Sequence, residues 1–279
     1  MIRVGIIGDL QEEGRINQTL HGSKEVEPIG LYNPGRDFKS ANFKIYHNPI
    51  ELLELSDAIL IYNSDRITFD FIRLMIRKSK HIYFRRLPVL SISEIADLLK
   101  LQKEAGSIIH IYNSLIGTRT GLISEIKPGA KIINLQLSIK NKVKDLSSEI
   151  MNALVYLCKI ENSPVKHSEV LALKNESNEI TMNIHSLCSN GSVHNILLSD
   201  RDIHSTIQIF QKNKSITFEF SPTPDTNSNE QITDDLAFLN FIQAINGKSS
   251  ENISFEDFYN SQKSFLDIRE KLNYSGIVI

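Results

Sequence analysis

Arg3-Val-Gly-Ile-Ile7, running directly into Gly8-Asp9-Leu10-Gln11-Glu12-Glu13-Gly14, is the stretch that decides the fold. The first five residues are a short, nearly continuous apolar run. A strand buried on both faces of a parallel sheet requires such a run. A glycine follows at once, then a polar, helix-compatible segment at about Glu13 to Leu20. Strand, tight turn and helix in that order predict the opening of a doubly wound α/β domain.

Working outward, the same alternation repeats. Pro28-Ile-Gly-Leu-Tyr32 predicts a second strand, stopped by the turn signal Asn33-Pro34-Gly35. Phe43 to Tyr46 predicts a third short strand, and Pro49 to Leu55 a brief helix with proline in its first turn. Asp57 to Tyr62, His81 to Phe84 and Ser107 to Ile111 predict further strands, with helices at Ile67 to Lys78 and Ser91 to Ala105 between them. In the second of these helices Ser91 caps and Glu94 sits three residues on, the spacing of a capping box. Alternating strands and helices imply a parallel sheet with right-handed crossovers.

The second half reads differently. Ile132 to Ile139 alternates apolar and polar residues, and Leu146 to Cys158 has helical spacing. Alternating strands are expected at about 166–174, 179–188, 192–198 and 205–219, with Asn190-Gly191 as a hairpin turn. Two helices, about 231–246 and 255–272, close the chain. The expected domains are residues 1–115 and 116–279, the second an α+β domain on an open, mostly antiparallel sheet.

Composition narrows the function. The 31 basic and 33 acidic residues sum to −2, which gives no footprint for a polyanion and excludes nucleic acid as the main partner. Two cysteines among 279 residues build no disulfide framework, which suits a cytoplasmic, reducing compartment. The N-terminus lacks the pattern of a secretion signal, and no run approaches the ~20 apolar residues that span a bilayer. His185, Cys188 and His194 lie at spacings that put them on mixed faces of a hairpin, without a fourth ligand, so no metal is expected.

Several local patterns then combine. Val4-Gly-Ile-Ile-Gly8, Leu52-Leu53 followed by Asp57-Ala-Ile-Leu-Ile61, and Lys80-His81-Ile82 come in this order. Pro88 with Ser91, Glu94 and Ala96, then Asn190-Gly191, then Tyr274-Ser275-Gly276-Ile277-Val278 complete the set. Together they resemble the Gfo/Idh/MocA family of NAD(P)-dependent oxidoreductases. The resemblance implies an N-terminal Rossmann-like domain and a C-terminal α/β domain. It also implies a nucleotide cofactor, NAD or NADP, at the carboxyl ends of the parallel strands, and a small polar ligand between the domains.

Carried over residue by residue, the resemblance assigns cofactor contact to Gly8, Asp9, Leu10, Asn33, Arg36, Asn63, Ser64 and Arg86. Few of these keep the chemistry of the family. A glycine loop lets backbone amides approach a pyrophosphate. Here only Gly8 is in place: Leu10 and Glu13 stand where glycines belong, and Asp9, Glu12 and Glu13 bring three carboxylates to the expected phosphate. At an effective dielectric near ~20, each such charge pair about 6 Å apart costs on the order of 2–3 kcal/mol. Asn33 replaces the acidic ribose ligand, and Arg36 just beyond would favour NADP over NAD. Asn63-Ser64 stands where Thr-Pro is usual, and Thr68 where a histidine is common.

The family's Glu-Lys-Pro motif reads Phe84-Arg85-Arg86-Leu87-Pro88, so either Leu87 or Arg86 takes the lysine's place. Arginine stays protonated and cannot exchange a proton near neutrality, although it can clamp a carboxylate or phosphate. The acid–base face Asp-x-x-x-His-x-x-Asp reads Asp145, Glu149, Asn152, with glutamate for histidine. These positional catalytic candidates, with Arg86, leave two readings. One is a non-catalytic or ligand-sensing homologue. The other is an active NAD(P)-dependent oxidoreductase on a sugar-like or other small polar substrate, with a divergent site. An open sheet with an apolar face left over, on the strands at about 179–188 and 205–219, predicts a homodimer or higher oligomer.

Overall fold

The computed structural model describes residues 1–8, 20, 22–33, 40, 42–62, 67–117, 125–139, 146–177, 179–220, 228–248 and 252–277. The elements run β1 (Ile2–Ile7), β2 (Val26–Tyr32), α1 (Pro49–Leu55), β3 (Ala58–Ile61), α2 (Phe69–Arg77), β4 (His81–Phe84), α3 (Ile92–Ala105), β5 (Ile109–Ile111) and α4 (Ser114–Gly117). Then come β6 (Ile132–Ser138), α5 (Leu146–Glu161), β7 (Val165–Lys174), β8 (Ile180–Cys188), β9 (Val193–Ser199), β10 (Thr206–Gln211) and β11 (Lys214–Glu219). The chain closes with α6 (Ser228–Ile245), β12 (Ile253–Ser254) and α7 (Phe255–Tyr274). The helix expected at about 13–20 lies outside the described residues, apart from Leu20, which is buried.

The chain divides into two compact units, Met1–Gly117 with Ser228–Glu256, and Thr118–Asn227 with Asp257–Ile279. In the first, the strand order is β2-β1-β3-β4-β5-β12. The first five strands pair in parallel and β12 adds an antiparallel edge. The alternation in the sequence therefore becomes the parallel α/β sheet it implied. The chain lays β2 on one side of β1 and returns to place β3 on the other. That switch opens a crevice at the carboxyl ends of the two halves. Phe43–Tyr46 does not form a full strand: it meets β2 only through the bridge Leu31–Ile45, with Leu31 N donating to the Lys44 carbonyl at 2.9 Å.

The expected boundary near residue 115 catches only the first crossing between the units, because Ser228–Glu256 comes back to the first one. The reason is burial. Ala237, Phe238, Phe241 and Ile242 of α6 join Val4, Ile6, Leu31, Leu60 and Tyr83 in one apolar cluster on a face of the parallel sheet. Tyr83 meets Phe238 edge-on, with ring centroids 5.8 Å apart, the arrangement that ring quadrupoles favour.

The second unit holds the sheet β11-β10-β6-β9-β8-β7, antiparallel except for the parallel pair β6–β9. The run expected as one strand at 205–219 is a hairpin of two, β10 and β11, turning at Lys212-Asn213. Asn190-Gly191 does join β8 to β9, with Gly191 at φ 85°, where a side chain would be strained. Helix α5 is buried nearly all round. Among the described residues, no helix is long and apolar enough to cross a membrane.

Candidate ligand site at the carboxyl edge of the parallel sheet

Each parallel strand hands on to its neighbour by one more backbone hydrogen bond past its end. Gly8 N donates to Tyr32 O at 3.1 Å, Tyr62 N to Ile7 O at 2.9 Å, Arg85 N to Ile61 O at 2.9 Å, and Tyr112 N to Phe84 O at 2.8 Å. Tyr32, Ile7, Ile61, Phe84 and Ile111 are aligned across the sheet. The residues one step on, Asn33, Gly8, Tyr62, Arg85 and Tyr112, therefore form the next row, at the crevice.

The row is rigidly founded. Tyr62 and Tyr112 pack against the apolar cluster beneath α6. The Arg85 guanidinium lies over the Tyr62 ring, 4.9 Å from its centroid. Stacking of this kind uses the faces of the guanidinium and leaves its in-plane N–H fork for hydrogen bonds.

Of the residues expected to form a site, Gly8, Asn33 and Arg86 do gather at this edge, following β1, β2 and β4. Gly8 has φ 137°, a conformation suited to glycine, and its amide is committed to Tyr32. Arg86 is exposed, and no side-chain partner for it is found among the described residues. Glu149 and Asn152 lie three apart on one side of α5, both half-buried, in the second unit. Asp9, Leu10, Arg36, Asn63, Ser64 and Asp145 lie outside the described residues. Thr68 caps α2, its hydroxyl accepting from Phe71 N at 3.3 Å, and so has a structural task. The sequence reading singled out Arg86 and passed over Tyr62, Arg85 and Tyr112. Their signal was available: each is the first residue after an apolar strand, the position that faces a crevice in this architecture.

The second unit contributes two further polar groupings. In its interior, Glu161 accepts hydrogen bonds from Ser192 Oγ at 2.8 Å and Asn190 Nδ2 at 2.5 Å, with Lys131 Nζ at 3.3 Å. His194 Nε2 lies 3.6 Å from the same carboxylate and 3.5 Å from Cys188 Sγ. Burial and the nearby Glu161 charge push the Cys188 thiol up to about 12, so it is no nucleophile. His185 is on the opposite face, bonded to Asn195. No group of three or more metal-ligating side chains occurs among the described residues.

The sheet's outer face departs from expectation. Its centre is not apolar but carries Asn134, Gln136, Asn183, Asn195, Thr206 and Gln208 around a recess of about 140 Å³. Apolar side chains flank it in a row, Phe210, Ile132, Val193 and Leu187, set by the strand register.

No family model matches the chain, and no curated protein matches it in sequence. Solved structures do match in fold. UDP-N-acetylglucosamine 3-dehydrogenase from Acidithiobacillus ferrooxidans superposes with a TM-score of 0.75 at 13% identity, over 97% of each chain. A probable dehydrogenase from Thermotoga maritima gives 0.75 at 15% identity, over 98% of this chain and 97% of its own. A myo-inositol dehydrogenase from Corynebacterium glutamicum gives 0.75 at 12%, over 99% and 97%. Across its two units, the chain has the oxidoreductase-like fold of the Gfo/Idh/MocA-type dehydrogenases.

Proposed function

We propose that this protein is a non-catalytic, ligand-sensing homologue of those dehydrogenases, working in the cytoplasm. The observation that carries this reading is the pair of arginines after β4. Where hydride transfer needs a group that gives up and regains a proton, Arg85 and Arg86 hold theirs permanently. Glu149 in place of the histidine adds a second replacement.

A nucleotide cofactor is compatible with the fold. The described residues nevertheless do not fit its usual seat. The Gly8 amide is spent on Tyr32, and Asn33 offers no carboxylate to a ribose. We therefore route no chemical step through NAD or NADP. The competing reading, an active NAD(P)-dependent oxidoreductase on a sugar-like or other small polar substrate, draws its support from a fold match spanning nearly the whole chain. Fluorescence titration of the full chain with NADH and NADPH separates the two, since the protein has no tryptophan to obscure the signal. Absence of binding at millimolar cofactor is expected; tight binding of either cofactor, with turnover, would return the protein to the enzymes.

We further propose a homodimer or higher oligomer through the outer face of the second sheet. Two features support it. Phe210, Ile132 and Leu187 are 43%, 48% and 42% exposed, in one row. The adjoining carboxamides both donate and accept, so identical faces can satisfy each other across a two-fold axis without like-charge repulsion. Light scattering at micromolar concentration should give at least twice the 31.7 kDa chain mass, and Ile132→Arg should halve it. A monomeric wild-type mass would remove the proposal.

A further inference from the structure

We infer that Arg85, in the row Tyr62–Arg85–Tyr112, anchors a binding site for a small organic anion, one whose carboxylate or phosphate sits at the end of β4. The inference rests on the ligand-sensing reading above and names the chemical class of the ligand.

A Rossmann-type site ordinarily holds its anion at the end of β1, with loop amides as donors. This chain reverses the charge pattern. Asp9, Glu12 and Glu13 follow β1, and the paired cations Arg85 and Arg86 follow β4. An anion entering this crevice is therefore drawn to the β4 end.

The geometry favours Arg85 over Arg86 as the anchor. Arg85 is fixed at its backbone by the bond to Ile61 O, while Tyr112 N closes on Phe84 O on the other side. Its guanidinium rests on Tyr62, and Tyr62 rests on the core. A planar fork pre-positioned in this way loses little freedom on meeting a carboxylate or phosphate, and two parallel N–H···O bonds match either group. Arg86 is exposed and lacks that support. The neighbouring row supplies amphipathic surface for the rest of a small ligand: the Tyr62 and Tyr112 rings, and Asn33 two strands away. Tyrosines at this position present an apolar body with a polar tip. A site of this kind suits a compact, hydroxylated acid or phosphate ester.

The test uses the full chain, with inorganic phosphate and D-gluconate as probes at constant ionic strength, followed by calorimetry and thermal shift. At least one probe should bind wild type and raise its melting temperature. Arg85→Gln should weaken that binding by about tenfold or more, the usual worth of a hydrogen bond to a charged group. Arg85→Lys, which keeps the charge but loses the fork, should recover only part. Arg86→Gln should change the affinity less than about threefold. A melting temperature measured without probe controls for folding, and Tyr62→Phe should bind as wild type does. Failure of both probes to bind wild type, or Arg85→Gln and Arg85→Lys both binding as tightly as wild type, would overturn the inference. Neither outcome bears on dinucleotide binding, which is read separately in the NADH and NADPH titration.

Discussion

Lys131 and Glu161 meet inside the second unit, Nζ 3.3 Å from the carboxylate, with side chains only 3% and 0% exposed. Thirty residues of sequence separate them. Lys131 leads into β6 and Glu161 ends α5. Ser192, from the β8–β9 turn, bonds both: its hydroxyl donates to Glu161 and accepts from Lys131 N at 2.9 Å. The pair thus ties three elements at one point, beside the only parallel strand pair found in this sheet among the described residues.

A buried ion pair is costly to break from one side, because the surviving charge is left without a partner. Lys131→Met should therefore destabilise the protein by about 3–5 kcal/mol in a denaturant titration. The double variant Lys131→Met with Glu161→Leu should cost clearly less than the sum of the two singles. Additive losses would show that the two charges do not interact.

Acid should act through the same carboxylate. Burial pushes the Glu161 carboxyl up, but bonds from His194, Asn190 and Ser192 and the Lys131 charge outweigh this, holding it below its ordinary 4.5. A carboxylate depressed on folding stabilises fully above its unfolded value, and that stability is lost as pH falls through the folded one. Unfolding free energy measured from pH 6 downward should begin to drop near the ordinary carboxylate range. Glu161→Gln, less stable at pH 6, should show a shallower decline. Parallel curves would remove Glu161 as a source of the acid response.

Gly5, in the middle of β1, leaves no space for a methyl group. A Cβ there would stand 2.5 Å from Ser56 Oγ and 3.0 Å from Leu52 Cγ. Ser56 cannot swing away freely, since its hydroxyl donates to Leu52 O at 2.7 Å. Gly5→Ala should cost about 1–3 kcal/mol, the range for overpacking a tight core. Thermal unfolding reads this directly, and an unchanged midpoint would mean that α1 shifts at no cost.

Both cysteines should be silent in the native protein. Burial raises the Cys158 thiol to about 11, and burial together with the Glu161 charge raises Cys188 to about 12. At pH 8 a disulfide reagent should label neither thiol until denaturant is added, and then both. Fast labelling without denaturant would mean that the second unit opens locally.

What the sequence determined alone was local. The apolar run Arg3–Ile7, the capping box of Ser91 and Glu94 and the turn at Asn190-Gly191 each depend on neighbours within a few residues. Hydrophobic period and turn chemistry suffice to read such features. The same short-range logic merged β10 and β11, because Lys212-Asn213 lacks a glycine to mark the turn. The tertiary structure decided what distant segments do to each other. Only strand register brings Tyr62, Arg85 and Tyr112 into one row, and only side-chain alternation separates the stacked Arg85 from the exposed Arg86. Only packing returns α6 to the first sheet, where its phenylalanines cover an apolar face no other segment in that cluster fills as fully. Burial and charge pairing are properties of the folded surroundings, and a residue's immediate neighbours in the chain do not encode them.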